Sequence, residues 1–216
     1  MGTFIFIEDN KNLSYVAMSL VILKVDREKK THSIYCEGIS IREEQIYITQ
    51  KNKITHIDNP NYSILLGTVG NDEFTRYFRL HFEEHFKKSD MLQNLSNCDL
   101  GCESLKDIIH SIWRSFCLDR MLPVDNDSFD HFGCILSING HLYVADHYRC
   151  DEKNTFGVYE VTDRDYCVNG QEEIAALCLL ENGIEIQRIF DTICKFNNSV
   201  NNNVRSIENI SYSDKM

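Results

Sequence analysis

His81-Phe82-Glu83-Glu84-His85 sets two imidazoles four residues apart, the spacing that puts both on one helical face within reach of a single zinc ion. The pattern is the His-x-x-Glu-His of one class of metallopeptidase. A third ligand, usually a downstream glutamate, has no counterpart. Phe74, Phe78 and Phe82 mark that face as the core stripe of an amphipathic helix. A zinc metallopeptidase using His81 and His85 is thus the minor reading. Asp125, Asp127 and Asp130 hint at calcium but lack the glycine and closing glutamate of an EF-hand, and read as a solvated acidic loop. Cys98 and Cys102 have no second pair at zinc-finger spacing. No phosphate loop and no Gly-x-Ser-x-Gly elbow occurs. These residues predict no metal and no cofactor.

The elements that position the remaining candidates alternate in groups. Residues 3–7 read as a strand, and Asp9-Asn10-Lys11-Asn12 as a turn. Residues 13–25 are rich in strand formers, and 26–30 form a charged hairpin tip. Short strands are predicted at 33–36, 45–49 and 53–57, then an apolar one at 62–69. Helical spacing follows in Phe74, Phe78, Phe82 and His85, and again in Leu105, Ile109, Ile112, Trp113 and Phe116. Strands return at 132–138 and 141–146, joined by Asn139-Gly140, a two-residue hairpin turn. Strands at 156–161 and 166–168 precede helices at 171–180 and 184–196, and a last strand spans 204–210. Grouped strands and grouped helices predict an α+β fold, with two stacked sheets covered by helix pairs in a four-layer αββα sandwich. The 216 residues read as one domain, with loop insertions near 26–44 and 87–102.

A formal net charge of -11 without a basic stripe argues against nucleic acid as a partner. No apolar run reaches the ~18–20 residues of a membrane span, and no signal peptide is visible. Nine cysteines, an odd number without regular spacing, fit reduced thiols, so a cytoplasmic location is expected.

Thr3 opens the first strand, Lys53-Ile54-Thr55-His56-Ile57 is a lysine strand, and Leu66-Gly67-Thr68-Val69-Gly70-Asn71 is a strand ending in glycine before a helix. With Tyr15-Val16-Ala17-Met18-Ser19 and Asn169-Gly170, their order and spacing resemble the proteasome β-subunit and HslV family of N-terminal-nucleophile hydrolases over most of the chain. The resemblance implies a threonine-type peptidase subunit of a homo-oligomeric ring, acting on peptides or unfolded protein, with an ATP-dependent unfoldase as a possible partner. Thr3 would be the nucleophile once Met1-Gly2 is removed, because its own α-amine can then take the hydroxyl proton. Lys53 would support the developing alkoxide. The Gly67 N–H would stabilise the oxyanion. Gly67, Thr68 and Asn169 would contact substrate. Two positions depart from the family. Ser19 stands sixteen residues after Thr3, where the family has an acid that orients the lysine, and Asn169 replaces a serine. These departures carry the alternative reading, a catalytically inactive proteasome-like subunit used for binding or assembly.

Overall fold

The computed structural model describes residues 19–37, 39–42, 45–48, 53–58, 62–88, 100–124, 132–150, 153–170, 172–197, 200 and 202–212. The predicted strand at 3–7, the first part of the stretch at 13–25 and the acidic loop at 125–130 lie outside them.

A four-stranded sheet has the order β10-β1-β2-β11, from β1 (Leu20–Asp26), β2 (Thr31–Glu37), β10 (Tyr166–Gly170) and β11 (Val204–Ser211). A five-stranded sheet runs β5-β6-β7-β8-β9, from β5 (Ile54–Asp58), β6 (Ser63–Gly70), β7 (Phe132–Ile138), β8 (His141–Cys150) and β9 (Lys153–Val161). A separate ribbon pairs β3 (Ile39–Arg42) with β4 (Gln45–Ile48). All described pairings are antiparallel. Helices α1 (Asp72–Lys88) and α2 (Cys102–Asp119) cover the five-stranded sheet, and α3 (Glu173–Glu181) and α4 (Ile186–Ile193) cover the four-stranded one.

The strand pattern explains the layering. β6 and β7 are buried along their whole length because both faces are covered. Even-numbered Ile64 and Leu66 join Leu136 and Ile138 beneath Phe74, Phe78 and Phe82 of α1 and Trp113 and Phe116 of α2. Odd-numbered Leu65 and Val69 face Val21, Leu23 and Ile34 between the sheets. Leu20, Ile22 and Val168 pack on Ile189, Phe190 and Ile193 of α4. Three apolar seams thus separate four layers, the predicted αββα sandwich. Asn71 caps α1, its Oδ1 accepting from the N–H groups of Glu73 (3.1 Å) and Phe74 (3.0 Å). Asn139-Gly140 makes the β7–β8 turn with φ 48° and 85°, the left-handed pair such a turn needs.

A buried imidazole crosses the central seam. His32 of β2 is fully buried, with Nδ1 2.7 Å from Ser137 Oγ and Nε2 3.1 Å from Ser63 Oγ on the opposite sheet. Burial pulls its pKa down to about 4, with nearby His56 adding to the effect.

The two histidines of the His-x-x-Glu-His pattern flank the core stripe of α1 rather than sharing it. His81 packs on Tyr77 with ring centroids 4.0 Å apart, and His85 is exposed. Among the described residues no cluster of three or more His, Cys, Asp or Glu could hold a metal ion.

Candidate functional site

Three strand ends meet at one edge of the central seam. Ser19 immediately precedes β1, Glu37 ends β2, and Lys53 immediately precedes β5. The β1–β2 register pairs Val21 with Cys36, so one residue further Leu20 stands opposite Glu37. The Lys53 ammonium donates to Ser19 Oγ at 2.8 Å and forms an ion pair with Glu37 Oε1. The second carboxylate oxygen, Glu37 Oε2, accepts the Leu20 N–H at 2.7 Å. The Glu37 side chain is 0 % exposed and that of Lys53 14 %, so the pair is withdrawn from bulk water. Charged hydrogen bonds of this kind are stronger than neutral ones, and the low surrounding dielectric strengthens them further.

Ser19 and Lys53, which the family resemblance sets side by side, are in contact. Glu37 was not among the expected residues, because its place is set by the hairpin register and not by any local motif. The signal that could have found it is the length of the turn. Four residues, Arg27 to Lys30, separate β1 from β2, which places residue 37 across from residue 20.

Asn169 and Gly170 adjoin this cluster through β10, where Gly170 pairs with Leu20 and Asn169 with Val21. Gly170 has φ +129°, and a Cβ there would lie 1.8 Å from the Ser19 carbonyl oxygen. Only glycine lets β10 approach so closely. Asn169 is 3 % exposed, and its Nδ2 donates to Asp146 Oδ1 at 2.7 Å. The space for that contact exists because position 133 is glycine. A Cβ there would fall 2.7 Å from Asn169 Oδ1 and 2.9 Å from Asp146 Oδ1.

Gly67 and Thr68 fall in the apolar strand predicted at 62–69. Gly67 lies inside β6, paired with Ile54 on one side and Ile135 on the other. The Thr68 N–H donates to Lys53 O across the β5 side (3.1 Å), so by alternation the Gly67 N–H points into the β7 ladder. That amide cannot serve as an oxyanion donor. Glycine is required here because a Cβ would meet Val21 at 2.5 Å and Ile34 at 2.8 Å in the opposite sheet. The strand turns at Gly70, with φ +107°. The Thr68 side chain is 1 % exposed and its hydroxyl accepts from Arg79 of α1, so it offers nothing to a substrate. Thr3 lies outside the described residues.

The cluster is built to hold a cation, not to activate Ser19. A lysine paired with a carboxylate is a poor base for the neighbouring hydroxyl, and that hydroxyl is 3 % exposed. Cys36 is no nucleophile either. Burial first, and then the Glu37 charge, push its thiol up to about 12, against the partial relief that Lys53 supplies.

The α/β/β/α layering, the two antiparallel sheets and the four helices define a proteasome-like N-terminal-nucleophile hydrolase fold. No protein-family model and no curated protein matches the sequence. Solved structures are similar. Anbu (ancestral beta-subunit) from Yersinia bercovieri superposes with a TM-score of 0.63 at 11 % identity, covering 88 % of this chain and 81 % of its own. BPH from Thiobacillus denitrificans gives 0.54 at 11 % identity, covering 91 % and 99 %. HslV from Trypanosoma brucei gives 0.56 at 10 %, covering 87 % and 98 %. At such identity the likeness is one of fold. Among the described residues no helix is long and apolar enough to cross a membrane.

Proposed function

We propose that this chain is a threonine-type peptidase subunit of a proteasome- or HslV-like assembly, cleaving peptide bonds with Thr3 after removal of Met1-Gly2. The observation that carries the reading is the buried Lys53–Glu37 pair with its Ser19 contact. Desolvating two charges is seldom rewarded in stability, so an apolar pair would serve the fold at least as well. A fixed ammonium at this sandwich edge is instead what an alkoxide nucleophile requires. In the proposed reaction the Thr3 α-amine takes the hydroxyl proton and Oγ attacks the substrate carbonyl. The scissile C–N bond breaks as the leaving amine receives that proton, and water then hydrolyses the ester. The substrate is a peptide or an unfolded polypeptide, and an ATP-dependent unfoldase would deliver the latter. A cytoplasmic ring of identical subunits completes the proposal; among the proteins of similar structure, the Anbu complex from Pseudomonas aeruginosa forms a helical assembly.

The second reading, an inactive binding or assembly subunit, draws on specific observations too. The Gly67 amide is directed into a ladder and Asn169 is engaged by Asp146, so two of the expected contacts to substrate are committed within the fold.

Intact mass and turnover of a fluorogenic peptide test the proposal together. The expected product begins at Thr3, cleaves peptide and is modified by epoxomicin, the ligand in a structure of the Thiobacillus BPH. Thr3→Ala should retain Gly2 and lose all three properties. Peptidase activity in protein that retains Gly2 would refute the mechanism. Light scattering after size exclusion should report several subunits, and a strict monomer would favour the second reading.

A further inference from the structure

We infer that Glu37 is the positioning residue for Lys53, supplying from β2 the carboxylate that Ser19 leaves missing on β1. The inference rests on the proposed peptidase reading for its catalytic meaning, and on geometry for its substance. The Lys53 ammonium touches both positions at once, the Ser19 hydroxyl at 2.8 Å and the Glu37 carboxylate by ion pair. A carboxylate at 19 would reach it along β1. One at 37 reaches it across the hairpin, because Leu20 stands opposite Glu37.

Glu37 is held for this task on both sides. One oxygen takes the Leu20 N–H and the other takes the ammonium, and the side chain is fully buried. A carboxylate with its two oxygens committed cannot swing away, so it fixes where the ammonium sits. Serine at 19 then acquires a reason. Its small hydroxyl accepts a hydrogen bond from the Lys53 ammonium without adding charge. A second carboxylate at 19 would set two anions against one ammonium in a site closed to water, an arrangement that like-charge repulsion disfavours. Serine at 19 and glutamate at 37 are therefore complementary: the carboxylate that faces Lys53 comes from the end of β2.

The test compares wild type, Glu37→Gln, Ser19→Asp, the double variant Ser19→Asp/Glu37→Gln, and Thr3→Ala. Three readouts are taken: cleavage at Gly2–Thr3 by intact mass, peptide turnover, and labelling of Lys53 by reductive methylation. Glu37→Gln keeps an oxygen for the Leu20 N–H but removes the charge. It should slow processing and turnover by about 10–100-fold, the scale of an orienting partner, and increase Lys53 labelling. Ser19→Asp alone should also slow the reaction. The double variant should recover toward wild type in all three readouts, which a merely structural role for Glu37 would not produce. Unchanged turnover and labelling in Glu37→Gln overturns the inference, as does a double variant no better than Glu37→Gln. If Glu37→Gln does not fold, Ser19→Asp decides alone, and a faster reaction overturns the inference. If wild type and Thr3→Ala are equally inert, the peptidase reading fails, while Lys53 labelling still tests Glu37.

Discussion

His32→Gln removes the only imidazole that bridges the two sheets among the described residues, and keeps an amide that can bond both serines. In the folded protein the ring is fully buried, and its pKa falls from the ordinary 6.5 to about 4. The folded state therefore favours the neutral ring. Between those two values the unfolded chain binds the proton and the folded chain does not, so stability falls as pH falls. The contribution is intact above 6.5, declines through the interval, and is spent near 4. At about 1.4 kcal/mol per pH unit, the full span is worth about 3 kcal/mol. Urea unfolding of wild type and His32→Gln at several pH values between 7 and 4 measures it. His85, exposed on α1 but partly desolvated beside Phe86, and His110 also have lowered pKa values; both are common to the two proteins and cancel. The wild type should lose up to about 3 kcal/mol more than the variant over this range. The same loss in both proteins would refute the claim that burial of His32 holds the ring neutral.

Two further outcomes follow from the site. Lys53→Met leaves the Glu37 carboxylate buried without its counter-charge and should cost about 3–5 kcal/mol in urea unfolding, most of it recovered in Lys53→Met/Glu37→Gln. Equal stability of the two variants would show that Glu37 carries no buried charge. Gly170→Ala drives a Cβ to 1.8 Å from Ser19 O at φ +129°, so it should cost more than the ~1–3 kcal/mol of backbone strain alone. Calorimetry should show a lower melting temperature and hydrogen exchange should show faster exchange along β1 and β10; a variant melting with wild type would contradict the close approach.

Local chemistry made much of this protein legible from residues alone. Asn139-Gly140 dictates its hairpin because few other pairs tolerate two positive φ angles. Phe74, Phe78 and Phe82 recur every four residues, so they form a helix with a buried stripe whatever the rest of the chain does. Grouped strands and helices sufficed for the four layers, and the family resemblance put Ser19 next to Lys53. Helix starts were less legible: α3 begins at Glu173 and α4 at Ile186, both inside the predicted spans, since neither has a side-chain cap to mark its start. The reason for glycine at 67 was not legible, because it lies in the facing sheet, where a Cβ would meet Val21 at 2.5 Å and Ile34 at 2.8 Å. Glu37 was hidden for the same physical cause. Its partners are 16 and 17 residues distant along the chain, and only strand register and sheet stacking carry it to them. The sequence by itself determined which segments are strands and helices, because those depend on neighbours a few residues away. The tertiary structure decided which carboxylate meets the lysine, because that depends on which strands lie side by side.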